Sequence, residues 1–273
     1  MELRTIHARQ VIDTVVETEL ELLLEEFHGN KPIHPERKEG SAIASLIAKE
    51  PKFRIGGKEV ILAEVRNLVV AGFDATAHSL AFAMGMMAER PDLADQMAKQ
   101  GMDNFYNLPQ SEPVNFETIE LLKKALYKSV LVKNFFMEAL RLYPIAPTLR
   151  GECASNIDIF TKDGTHYTLP KGTLTLFLNM QLQRQEILNP NEMFPERWDV
   201  PITEQPFLRT LQNGPLRCPG KPLSLLEGHA FLLLIASKFR FEFPADVTQV
   251  QFEDNGLLRP RDSMPLLVKR RHE

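Results

Sequence analysis

One stretch limits the folds open to this chain more than any other. From Lys58 to Arg90 the sequence is helical by period, holds no internal proline and stops at Pro91. At 1.5 Å per residue it predicts a helix roughly 45–50 Å long, which spans a whole domain. Apolar residues surround its middle, so the spacing predicts that it crosses the centre of a domain. Gly72, in Ala71-Gly72-Phe73-Asp74-Ala75-Thr76, lies near the midpoint. Glycine there costs about 1 kcal/mol relative to alanine. Two explanations stand open: a flat ligand approaching the backbone, or close packing of another helix.

The second informative stretch runs from Leu211 to Lys221 and crowds Gly214, Pro215, Arg217, Cys218, Pro219 and Gly220 into one turn-forming segment. An apolar run from Leu223 to Phe239 follows and is long enough for a helix. Cys218 is therefore expected just before a helix N-terminus, where the dipole favours negative charge. A cysteine so placed is either a small buried residue or a soft metal ligand.

Other segments read as follows. Residues 2–26 form an amphipathic helix with an acidic solvated face, and Ser41 to Lys49 a short one. Met102 to Val114 is a loop; Pro91 to Lys99 before it is expected to be a helix by resemblance to a known family. A single helix covers Asn115 to Tyr143 and ends before Pro144. Within it Glu138 and Arg141, three apart, share one face. Their apolar neighbours Phe135, Phe136 and Leu140 favour a buried pair over an exposed one, and a buried pair needs further partners. Ile157–Phe160 and His166–Leu169 read as strands joined by a turn at Lys162–Gly164, and Pro170–Thr173 begins another.

The two cysteines, Cys153 and Cys218, make no disulfide framework, and a reducing intracellular compartment is expected. A net charge of −4 gives no sign of nucleic-acid binding. No apolar run is expected to reach the length of a membrane span. The start of the chain shows no signal-peptide h-region.

Taken in order, these segments resemble the cytochrome P450 family. Ala71, Gly72 and Asp74 match the oxygen-helix signature A/G-G-x-D/E-T-T/S, with Ala75 at the place of the usual alcohol and Thr76 one residue on. Glu138-Ala139-Leu140-Arg141 matches E-x-x-R, and Pro195-Glu196-Arg197 matches P-E-R. Gly214, Cys218 and Gly220 match F-x-x-G-x-R-x-C-x-G; Leu211 replaces its Phe, Leu216 stands where the Arg belongs, and Arg217 is one place late. Leu257 to Leu266 resembles the closing hairpin.

The resemblance implies a mainly α fold with a small mixed β-sheet, a partial P450 fold built round the long helix. Residues 1–273 would be the C-terminal portion of such a domain, without the N-terminal half, the membrane anchor and most of the substrate lid. It implies haem b, with Cys218 as iron ligand and Ala71, Gly72, Gly214 and Gly220 against the cofactor. Arg217 and Arg150 are candidates for its propionates, although Arg150 equally suits a surface position. Asp74 and Thr76 are the candidate proton relay; Thr76 can instead bond its own helix carbonyls. Glu138, Arg141 and Arg197 would form a structural network bracing the cysteine loop.

The implied function is haem-thiolate monooxygenation: one oxygen atom of O2 inserted into an apolar small-molecule substrate. The implied electron donor is an NADPH-dependent reductase or a ferredoxin-type protein. Two alternatives stand beside it. One is a catalytically silent remnant or interaction subunit, favoured by Leu216 and Ala75. The other is a haem-thiolate enzyme that uses peroxide or rearranges hydroperoxides.

Overall fold

The structure is a computed structural model that describes residues 51–105, 123–185, 187–200, 210–211 and 217–271. The readings of residues 2–26 and 41–49, and of Gly214 and Leu216, lie outside these. The chain forms two compact units, Met1–Asp74 and Ala75–Glu273.

Helix α1, Pro51–Glu89, begins seven residues before the expected start at Lys58. Proline suits a first helical turn because its fixed φ matches the helix and its missing N–H would be unbonded there. The helix ends at Glu89 because Arg90, preceding Pro91, is disfavoured in the α region. In the first unit Leu68, Val69 and Val70 are exposed, and Phe73 is 73% exposed. The expectation of a helix buried around its midpoint therefore does not hold there.

Val65 is buried within the first unit, but the part of α1 that joins the main core begins after the unit boundary. Phe82, Met86 and Met87 of α1 join Met97 of α2 (Pro91–Phe105) in one core with Phe135 and Phe136 of α3 (Val130–Leu142). Part of α1, Ala63–Glu89, is long and apolar enough to cross a membrane by length and composition, so the expectation of no such run fails on that criterion. Its last turns are core: Phe82 stacks on Tyr143 with ring centroids 4.7 Å apart. Helix α2 extends past the expected end at Lys99, so Met102 to Phe105 is helix rather than loop.

The single helix expected from Asn115 to Tyr143 is broken. Residues 123–128 are helical, Ser129 leaves the helix with ψ near 63°, and α3 starts at Val130. The Ser129 hydroxyl donates to the Ala125 carbonyl at 2.9 Å, the local bond by which serine competes with helical backbone pairing.

The β part resolves into four two-stranded antiparallel ribbons among the described residues. Strand β1 (Thr148–Glu152) pairs with β4 (Leu174–Leu178), and β2 (Ile157–Phe160) with β3 (His166–Leu169). The β2–β3 turn closes by Gly164 N–H to Thr161 O at 2.9 Å, and Gly164 has φ of 85°, a value glycine adopts without cost. A short helix α4 (Asn179–Leu182) and a 3-10 turn at Pro195–Trp198 lead towards α5 (Lys221–Lys238). Beyond it β5 (Phe239–Glu242) pairs with β8 (Leu267–Arg270), and β6 (Phe252–Asp254) with β7 (Leu258–Pro260).

Candidate functional site

Two features make up the site in the second unit. The first is centred on Glu138. The three-residue spacing on α3 puts Glu138 and Arg141 on one face, and both side chains are wholly buried. Arg141 donates Nε to Oε2 and Nη2 to Oε1 of Glu138, each at 2.8 Å, a bidentate pair. Arg197 donates Nε to Oε1 at 2.8 Å, Trp198 donates Nε1 to Oε2 at 2.9 Å, and the Phe194 N–H reaches Oε1 at 3.2 Å. Arg141 spends its remaining donors on the carbonyls of Gln183, Pro190 and Glu192 at 3.2, 2.8 and 3.2 Å. The carboxylate thus gathers the turn carrying Arg197 and the loop after α4 against α3.

Arg184 sits beside this cluster. It donates to the carbonyls of Leu142 and Met180 at 2.7 and 2.8 Å. Burial lowers its pKa first, and the positive charge of Arg141 adds to the effect.

The second feature is the cysteine turn. Cys218 is half-buried and free. Its N–H donates to the Leu211 carbonyl at 3.0 Å, and its own carbonyl accepts the Lys221 N–H at 3.3 Å. Gly220 caps α5, and proline in the first helical turn needs no N–H partner. A Cβ on Gly220 would stand 3.7 Å from the Cys218 sulfur, so glycine leaves that flank of the thiol open. Arg217 is exposed. Cys153, the other thiol, is 3% exposed between the ends of β1 and β4, where it exchanges backbone bonds with Gly172 and Thr173.

The remaining sequence candidates are placed as follows. Arg150 is exposed on β1 opposite Leu176. Ala71 and Gly72 are exposed on α1, and among the described residues nothing lies within 4 Å of a Cβ added at Gly72. Asp74 and Thr76 are half-buried on α1, two residues and so about 200° apart round the helix. The neighbouring Ser79 hydroxyl donates to the Ala75 carbonyl at 2.8 Å, the back-bond that was also open to Thr76.

Sequence reading passed over several residues that matter here. Trp198 and the Gln183–Thr210 pair gave no motif signal. Gly228 did carry one, because glycine inside an apolar helix is costly. In the structure its α-carbon lies against the Phe136 ring, so closely that a Cβ would collide with that ring's Cε1, Cζ and Cδ1 atoms. His229, next to it, stands edge-on to Phe136 at 6.0 Å, and its Nε2 is buried without a hydrogen-bond partner. Burial, aided by the charge of Lys133, lowers its pKa to about 4.

A glutamate–arginine pair on one helix, a later arginine folded back onto the same carboxylate, and a cysteine at the start of a following helix stand in the order that the motifs of the sequence set. Comparison with known proteins agrees. The family model for cytochrome P450 matches residues 5–268, and the chain belongs to that family. It is 30% identical to cytochrome P450 3A6 of Oryctolagus cuniculus over 219 residues, 76% of this chain and 40% of that protein. It is 27% identical to cytochrome P450 3A12 of Canis lupus familiaris over 224 residues, 77% and 40% of the two chains. With cytochrome P450 4V2 of Rattus norvegicus it shares 25% identity over 224 residues, 79% and 39%. The chain spans about 40% of the length of these relatives.

The family implies haem. The donor chemistry of the turn fits it: one free, half-buried thiol with an open flank at a helix start, a soft ligand of the kind that haem iron takes.

Proposed function

We propose that this chain carries the cysteine-ligand half of a haem-thiolate monooxygenase acting on an apolar organic substrate, with electrons supplied by an NADPH-dependent reductase or a ferredoxin-type protein. The observation that carries the reading is the anchoring of Cys218: its backbone is held at Leu211 O and Lys221 N–H, while its thiol is free and half-buried.

Cys218 would hold the iron, with Gly220 leaving one flank of the thiol open. Haem, when bound, supplies activation of dioxygen and transfer of one oxygen atom to substrate, with thiolate ligation favouring O–O cleavage. This chain's residues do the rest. Arg217 and Arg150 are the cations available to carboxylates at the cofactor edge. Asp74 holds and passes protons, with Thr76 or water as its relay. Ala71 and Gly72 offer a smooth, apolar helix surface. The Glu138, Arg141 and Arg197 cluster ties the loop after α4 and the Pro195–Trp198 turn to α3.

A second reading, a catalytically silent member acting as an interaction subunit, is favoured by one specific observation. Leu174, Leu176, Phe177 and Leu178 of β4 are all exposed, surface that suits a protein partner better than water.

Haem titration separates the readings. On the first, the wild-type chain and Cys153→Ser develop the same Soret absorption as haem is added, whereas Cys218→Ser develops a different one. Identical spectra for wild type and Cys218→Ser would sink the ligand assignment.

A further inference from the structure

A buried amide ties the cysteine turn to the Glu138 cluster. Gln183, just past α4, is wholly buried. Its Oε1 accepts the Thr210 N–H at 2.8 Å, and its Nε2 donates to the Arg141 carbonyl at 3.1 Å. The Thr210 hydroxyl lies 2.7 Å from Gln183 Oε1 and 2.6 Å from the Leu140 carbonyl, two acceptors that share its single hydrogen. This set fixes the amide's orientation, because turning it over would aim its NH2 at the Thr210 N–H. The residue after Thr210 is Leu211, whose carbonyl receives the Cys218 N–H. An unbroken path of bonds and backbone thus leads from the last turn of α3, through Gln183 and Thr210, to the cysteine.

The arrangement has a mechanical consequence. Among the described residues two hold the entry of the cysteine turn: Leu211 packs on the core and accepts the Cys218 N–H, and Thr210 is bonded to Gln183 and Leu140. Surface turns open locally, well below the cost of global unfolding. A clamp at the entry therefore controls how often the thiol leaves its held position.

We propose that Gln183 and Thr210 are positioning residues for Cys218. They pin the entry of the cysteine turn to α3 and so hold the sulfur in the one place from which it can ligate. The ligand role rests on the function proposed above; the clamping does not, because the thiol itself reports it.

The test uses the full-length, haem-free chain carrying Cys153→Ser, so that Cys218 is the only thiol. The rate of Cys218 modification by a disulfide-exchange reagent is measured without denaturant. Gln183→Leu and Thr210→Val should each raise the rate about 3- to 10-fold, the factor expected from one net hydrogen bond. Thr210→Ser, which keeps the hydroxyl, should leave it near wild type. The double variant should react no faster than the faster single one, since both remove one coupled clamp. Val250→Ala, a core substitution elsewhere, should lower thermal stability without raising the rate. Unchanged rates in Gln183→Leu and Thr210→Val, or an equal rise in Val250→Ala, would overturn the proposal. If Gln183→Leu does not fold, Thr210→Val against Thr210→Ser decides alone. A wild-type chain that takes up no haem contradicts the function proposed above and leaves the labelling result standing.

Discussion

Trp198 donates its indole N–H to Glu138 Oε2 at 2.9 Å, although 60 residues separate them. The bond completes a carboxylate already held by two guanidiniums, in a place where its side chain is wholly buried. Removing that carboxylate leaves two arginines with a buried excess of positive charge. Glu138→Ala is expected to cost about 3–5 kcal/mol in urea unfolding. Trp198→Phe, which removes one donor of several, should cost about 1–3 kcal/mol. A loss under about 1 kcal/mol for Glu138→Ala would count against the cluster as a brace.

Two glycines should respond to alanine with opposite signs. At Gly72, exposed and with nothing among the described residues in reach of a new Cβ, Gly72→Ala should stabilise the haem-free chain by about 0.5–1 kcal/mol. At Gly228 the new methyl meets the Phe136 ring. Overpacking there should outweigh the gain in helix propensity and destabilise by about 1–3 kcal/mol. Phe136→Leu, combined with Gly228→Ala, should recover part of that loss, and strict additivity of the two changes would argue against the contact.

His229 makes acid stability testable. Its pKa falls from 6.5 to about 4 on folding, chiefly by burial. A lowered base pKa means that the unfolded chain takes up the proton first, so stability drops as pH falls from about 6.5 to about 4. The full effect is on the order of 3 kcal/mol. His229→Leu should flatten the stability-versus-pH curve in this window. An unchanged slope would show that other groups govern it.

Much of this was legible in the sequence. Strands β2 and β3 fall where the short β-like runs and the Lys162–Gly164 turn place them, because a local turn sets their register. The spacing of Glu138 and Arg141 and their apolar neighbours point to a buried pair for the same local reason. The break at Ser129 was not legible, since serine is tolerated in helices and leaves them only in context. Nor was the Gln183–Thr210 contact, which joins residues 27 apart with no periodic signal. The midpoint of α1 misled, because apolar composition alone does not say which residues are covered: Leu68, Val69, Val70 and Phe73 are exposed.

The same exposure bears on turnover. With apolar residues of α1 and β4 open to water and alanine at position 75, haem should be loosely held and poorly shielded from solvent. This chain alone, given dioxygen, NADPH and a reductase, is expected to yield little or no oxygenated product. Tightly coupled product formation would contradict that expectation.

The most direct test of the central claim, that Cys218 supplies the thiolate for haem, is the reduced carbon monoxide difference spectrum of the purified, haem-loaded chain. The account predicts the long-wavelength band of thiolate-ligated haem in wild type and Cys153→Ser, and its loss in Cys218→Ser. A thiolate band that survives in Cys218→Ser, or one that is absent from wild-type protein with haem bound, would contradict it.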